Sequence, residues 1–169
     1  FTASSLNSNN FVVKSQFWDV LYNYVYHANA CLEGLDRSTG VSSTIKSQLT
    51  GEVKFIRALC YFYLTNLFGD VPLQLTTDYR ANAVESRKKV TDVYQQIVLD
   101  LKDAQLLLPE NYAGSDRVRP NRMVATAFLS RVYLYLQEWS NAEIQASIVI
   151  NSGAYSLNNN LTEVFLYNS

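Results

Sequence analysis

One histidine, His27, and two cysteines, Cys31 and Cys60, are the only soft metal ligands in this sequence of 169 residues. No C-x-x-C pair occurs, so a closed zinc site and a dithiol redox motif are both excluded. Charge of one sign is also missing: 14 Lys and Arg against 15 Asp and Glu leave a formal charge of −1, which offers no electrostatic footprint for nucleic acid or anionic lipid. No apolar run has the length needed to cross a bilayer, and no basic-then-apolar leader opens the chain. Phe1 stands where an initiator Met would, so the chain reads as a processed or excised segment. What is present is apolar: 48% hydrophobic against 17% charged residues, the balance of a chain that folds around a core rather than staying disordered. The length fits one domain, or one half of a larger one.

Periodicity organises the chain into five helices. Residues 1–10, rich in Ser and Asn, read as an arm or loop. A first helix is predicted from about Phe11 to Leu35, with Phe17, Leu21, Tyr24, Ala28, Cys31 and Leu35 on its buried face. A second runs from about Ile45 to Phe68, with Leu49, Val53, Ile56, Cys60, Tyr63 and Leu67 on its face. Its second half is apolar almost all round, which implies contact on more than one side. Gly69 suits a left-handed cap, and Pro72 pushes Val71 to an extended conformation. Residues 71–89 read as an extended connector ending in the basic cluster Arg87, Lys88 and Lys89. A third helix follows Val90, capped by Thr91, with Val93, Ile97, Leu101, Ala104 and Leu108 buried and Pro109 at its end. After a loop from Glu110 to Pro120, Asn121 caps a fourth helix to about Leu136. A turn at Gln137 and Glu138 starts a fifth, from Trp139 to Ser152, closed by Gly153. The tail, 158–169, is Asn-rich.

The last helix pair repeats earlier spacing. Leu129, Ser130 and Tyr133 precede Trp139, Ala142, Ala146 and Val149 in the order of a tetratricopeptide (TPR) unit. Tyr94, Ile97, Leu101 and Ala104 repeat its second half, and Ala58 with Tyr61 supplies the small-x-x-aromatic element of the displaced partner. About 27 extra residues lie between Tyr61 and Tyr94, as the connector accounts for. The fold class expected is all-α, TPR-like antiparallel helix pairs with one long insertion.

Few residues point to chemistry. Trp18, Tyr22 and Tyr26, at i, i+4 and i+8, would form an aromatic platform for sugar rings or, the favoured reading, pack against neighbouring helices. Tyr79 and Tyr112 fall in loops, where binding residues concentrate. The candidate ligand contacts are therefore Trp18, Tyr79 and Tyr112. Glu52 and Arg57, five apart, are expected to take separate tertiary partners rather than pair. Arg57 is read as a structural tie to carbonyls or a carboxylate of the connector, and Asp70 as a partner of local backbone N–H groups. His27 reads as partly buried and non-catalytic. A disulfide between Cys31 and Cys60 is excluded by their axial offset in an antiparallel hairpin. Asn160-Leu161-Thr162 matches a glycosylation sequon, a short pattern that carries no weight by itself. No catalytic residue, metal ligand or cofactor is assigned.

Glu52, the run Lys54-Phe55-Ile56-Arg57-Ala58, Leu64 and Phe68-Gly69-Asp70-Val71-Pro72-Leu73 together resemble the central signature of the SusD/RagB family of Bacteroidetes outer-membrane lipoproteins. Trp18, Tyr22, Asn29, Tyr94, Asp100, Tyr133, Trp139, Ala142 and Tyr155 extend the resemblance, in order and spacing, across roughly Trp18 to Leu157. It implies a SusD-like helical-repeat domain over 11–157, and a non-enzymatic protein on the cell-surface side of the outer membrane. Such a protein captures an oligosaccharide or other nutrient and hands it to a SusC-like TonB-dependent transporter. The resemblance also implies a length about three times this one, a lipidated cysteine near the mature N-terminus and a C-terminal part that carries much of the ligand site. Cys31 and Cys60 lie inside predicted helices, so membrane association is expected only through a lipid anchor absent from this chain, which then supplies scaffold and docking surface. Two rivals stand beside this reading. A TPR module binding a peptide would show groove-facing Lys, Arg and Asn recurring at equivalent positions, and an all-α enzyme would need carboxylates brought together by a motif. Neither pattern is seen.

Overall fold

The computed structural model describes residues 10–114, 117–157 and 162. The predicted arm before Asn10, the tail from 158 and the sequon's Asn160 lie outside them, Thr162 excepted. The first helix forms as α1 (Phe11–Val13), a π turn (Lys14–Trp18) and α2 (Asp19–Arg37). Asn10 caps it, its side chain accepting from the amides of Val12 and Val13 at 3.0 and 3.2 Å. The buried face is rotated from the expected one, and three of the six expected residues fall outside it. Phe17 and Tyr24 are exposed, and so is Cys31, whereas Val25, Ala28 and Asn29 are buried with Trp18, Leu21 and Tyr22 half-buried beside them. Apolar residues occupy two adjacent stripes of this helix, and periodicity alone does not choose between them.

Helix α3 (Ser43–Phe68) is the central element, packed against α2 on one side and α5 (Val90–Leu107) on the other. Its second half is buried on more than one side, through Arg57, Ala58, Cys60, Tyr61, Phe62, Leu64 and Thr65, with one stripe left to solvent. The predicted face is corrected here too: Ile56, Tyr63 and Leu67 are exposed. The true stripe includes Glu52, Arg57 and Thr65, polar residues that a count of apolar positions passes over. Close approach of α3 and α5 depends on Gly51, where a Cβ would lie 2.9 Å from Leu108 Cγ. Phe62 then joins three helices, its ring edge-on to Tyr94 of α5 and to Phe128 and Tyr135 of α6 (Arg122–Tyr135) at 4.9–6.3 Å.

Gly69 ends α3 with φ +71° and ψ −128°. The positive φ agrees with the expected glycine, but ψ is not helical: this is a turn conformation that Cβ-bearing residues avoid. The connector is folded rather than extended. Val71 and Pro72 form strand β1, antiparallel to β2 (Arg87–Lys88), and the short helix α4 (Tyr79–Ala83) stands between them. Helix α5 buries the expected Val93, Ile97, Leu101, Ala104 and Leu108. It has no side-chain cap: the helix starts at Val90, which places the expected cap Thr91 inside its first turn, and Asp70 Oδ1 accepts from the Val90 amide at 3.0 Å.

Asn121 caps α6 as expected, its Oδ1 accepting from the Val124 amide at 2.9 Å. A tight turn with Gln137 at φ +60° leads into α7 (Trp139–Asn151). Ala142 and Tyr133 are buried where α6 meets α7, and Ser130 Oγ donates to the Ala142 carbonyl at 2.8 Å. Trp139, the other marker of the repeat, is 61% exposed. The helices follow one another as an all-α, TPR-like array with the connector as its one insertion.

Candidate functional site

Three helices meet at a buried polar node. Arg57 Nε and Nη2 donate to the two oxygens of Asp100 at 2.8 and 2.7 Å, while Nη1 donates to Asn29 Oδ1 at 2.9 Å. Asp100 is 1% exposed, so this fork-to-carboxylate pair is desolvated and geometrically complete. The carboxylate comes from α5 and not from the connector, which corrects the expected partner of Arg57. Glu52 accepts from Gln48 and from Arg119, which brings the loop after α5 down onto α3. Separate tertiary partners are thus found for Glu52 and Arg57.

The node continues into the connector. Asn29 Nδ2 donates to the Gln74 carbonyl at 3.0 Å, and Tyr22 Oη donates to the Pro72 carbonyl at 2.7 Å. Glu33 accepts from the Thr77 amide and hydroxyl and from the Thr76 hydroxyl at 2.7–3.1 Å. From α3, Tyr61 Oη donates to the Gln74 carbonyl and accepts from its amide, each at 2.7 Å. Burial pushes both phenols well above their ordinary pKa, so they remain protonated donors. The Thr77 amide, followed by its hydroxyl, lowers the Glu33 pKa by hydrogen-bonding its charged form. Tyr22, Asn29 and Glu33 lie on one stripe of α2 with Trp18 and Val25. That alignment of polar groups along an apolar stripe is the sequence signal that would have located the clasp. Asp70 departs from expectation, since its side-chain partner is the Val90 amide, far along the chain.

This clasp holds out Tyr79, 72% exposed at the start of α4, with the Arg80 guanidinium 5.6 Å from its ring centre. Trp18 is half-buried between Tyr22 at 4.8 Å and Phe68 at 5.0 Å, and Arg87 lies 5.3 Å over its ring. Tyr26 and His27 are exposed, edge-on to one another, which corrects the expected partial burial of His27. Tyr112, in the loop after α5, meets Tyr155 hydroxyl to hydroxyl at 2.9 Å, and Asn121 Nδ2 donates to Tyr155 Oη at 3.1 Å. Partial desolvation and this contact push the Tyr112 phenol up to about 12. Tyr155 also walls a groove of about 300 Å³ with Phe55 of α3 and Val149 of α7. Met123, Val124, Ala127, Phe128 and Arg131 of α6 complete its lining. Sequence reading missed this groove, because its residues come from four separate segments.

Cys31 and Cys60 are both free; burial pushes the Cys60 thiol up to about 11, where it is inert. Among the described residues no group of His, Cys, Asp and Glu is arranged to hold a metal ion, and no helix is long and apolar enough to cross a membrane.

A TPR-like array with a fastened, aromatic-bearing insertion defines the class: a helical-repeat scaffold. The comparisons give the family. Residues 2–134 match the SusD-like family described as starch-binding and associating with the outer membrane, and the chain belongs to it. It is 30% identical over 155 residues to a SusD-like protein, P25, of Formosa agariphila, covering 89% of this chain and 29% of that protein. It is 30% identical over 137 residues to the starch-binding protein SusD of Bacteroides thetaiotaomicron, covering 78% of this chain and 24% of SusD. Among solved structures, a laminarin-binding SusD-like protein superposes with TM-score 0.81 at 28% identity, over 88% of this chain and 33% of that one. A SusD-like carbohydrate-binding protein of Bacteroides fragilis gives TM-score 0.85 at 25% identity, over 94% of this chain and 31% of that one. The chain thus spans under a third of the length of these relatives. The family is one of carbohydrate-binding proteins, not of enzymes.

Proposed function

We propose that this chain is the helical-scaffold part of a glycan-capture system on the cell-surface side of a bacterial outer membrane. It binds without catalysing. The observation that carries the reading is the family match over residues 2–134, whose description is of starch binding at the outer membrane. The structure supports it in two ways. The buried Arg57–Asp100 pair ties α3 to α5, and aromatic side chains stand on segments that the scaffold holds by hydrogen bonds. Tyr79 and Tyr112 are the first ligand contacts to test, and Trp18, occupied by its neighbours, the third. Residues 11–157 act as the scaffold unit, and its outer faces dock on a SusC-like TonB-dependent transporter that receives the oligosaccharide. A lipid anchor outside these residues would hold the assembly at the membrane.

Titration calorimetry of the purified chain with starch- and laminarin-derived oligosaccharides tests the binding, and co-purification with a TonB-dependent transporter encoded beside its gene tests the partner. Saturable heat with at least one glycan is expected. Saturable binding of peptides, with none of any glycan, would instead establish the peptide-binding TPR module.

A further inference from the structure

Every other arginine among the described residues has a partner. Arg37, Arg57, Arg119 and Arg122 each meet a carboxylate, and Arg80, Arg87 and Arg117 each lie over an aromatic ring. Arg131 alone has neither, nor a hydrogen bond to its side chain, and it lines the groove on α6. It is spaced four residues from Ala127 and eight from Met123, so the three share one face of α6, and the cation stands at one end of an apolar trough. Phe128, 8% exposed, and half-buried Phe55 are among its apolar lining. Tyr155 is 37% exposed, and its ring is fixed by the Tyr112 and Asn121 contacts to its hydroxyl. A fixed, half-exposed aromatic ring suits stacking on the apolar face of a sugar, because little conformational freedom is lost on binding. A planar, unpaired guanidinium suits a carboxylate, which it grips through two parallel hydrogen bonds. The groove, at about 300 Å³, has the size of a small-ligand site.

We propose that this groove is a subsite for an acidic glycan, a sugar bearing a uronic-acid carboxylate, with Arg131 as the anion partner and Tyr155 as the stacking wall. The inference rests on the glycan-capture reading and narrows it to a charge class of ligand. Neutral glucans satisfy the apolar wall and leave Arg131 without a counter-charge.

The test compares trigalacturonate with maltotriose by calorimetry on the chain, together with the methyl resonance of Met123. That residue is the single methionine of the sequence and sits in the groove, so its signal reports occupancy directly. Trigalacturonate is expected to bind about tenfold more tightly than maltotriose, to weaken as salt is raised, and to shift the Met123 signal. Arg131 is exposed, so Arg131→Gln should fold normally and remove the preference, while Arg131→Lys keeps the charge without the fork and should retain part of it. Equal affinities in the parent chain, a preference that survives Arg131→Gln, or binding that leaves the Met123 signal unmoved would each overturn the subsite. Maltotriose binding that is indifferent to Arg131→Gln, with no gain for trigalacturonate, overturns the subsite and leaves glycan capture standing. Absence of binding by both trisaccharides and by the longer starch and laminarin oligomers overturns the two together.

Discussion

Between Val71 and Lys89 the chain is fastened to α2 and α3 by Tyr22, Asn29, Glu33 and Tyr61, all through hydrogen bonds that mostly reach connector backbone. Helices α6 and α7 meet instead through small and aromatic side chains, with Ala142 buried at the contact and Ser130 donating to its carbonyl. The first region is specified by polar groups aimed at particular carbonyls, the second by volume. The connector buries Val71, with Leu73 packed beside it, at its start, and beyond that anchor directed hydrogen bonds set its position. A helix pair needs little more than a stripe of fitting shapes. Polar groups thus mark the places where this scaffold must hold a segment still, and the connector that displays Tyr79 is one of them.

Substitutions sharpen the contrast. The largest effect is expected at the node that anchors the clasp: Arg57→Ala leaves Asp100 buried without its partner and should cost about 3–5 kcal/mol in urea unfolding. A loss below about 1 kcal/mol, the range of exposed pairs, would mean the node is hydrated and the polar region less specified than described. Ala142→Leu overpacks the α6–α7 contact and should cost about 1–3 kcal/mol. An unchanged midpoint would show that volume does not govern that pair.

Two glycines read the same principle at finer scale. Gly51→Ala places a methyl against Leu108, and should be destabilising by about 1 kcal/mol even after the gain in helix propensity. Gly34, inside α2 with open space where its Cβ would stand, should gain about 0.5–1 kcal/mol on replacement by Ala. Thermal midpoints moving in opposite directions would show that close approach governs Gly51 and not Gly34.

The smallest effect concerns pH. Because the folded state lowers the Glu33 pKa, its contribution is present above the unfolded glutamate value of about 4.3 and fades as pH falls through the lower folded value. Amide exchange at Thr77 should therefore quicken in acid relative to exchange in α5, and Glu33→Gln should bring much of that loosening to neutral pH. Identical acid profiles for the variant and the parent would remove Glu33 from the clasp.

How much of this was legible in the sequence follows the same division. Helices α5 and α6 lay open, since Val93, Ile97, Leu101 and Ala104 form one unambiguous stripe and Asn121 is a strong cap. On α2 and α3 the stripe was misplaced by counting apolar residues, because Asn29, Glu52, Arg57 and Thr65 occupy core positions. The signature around Gly69 to Leu73 identified the family without showing why its residues matter. Their reason is three-dimensional: Pro72 and Gln74 present carbonyls to Tyr22, Asn29 and Tyr61. The groove was illegible, since Phe55, Arg131, Val149 and Tyr155 converge only through the packing of three helices and a following segment.

Calorimetry of the purified chain against a panel of neutral and acidic oligosaccharides tests most directly the proposal that this helical array captures glycans. Saturable binding is predicted, weakened by Tyr79→Ala or Tyr112→Ala with the thermal midpoint little changed. No heat with any glycan, alongside saturable binding of a peptide, would contradict it.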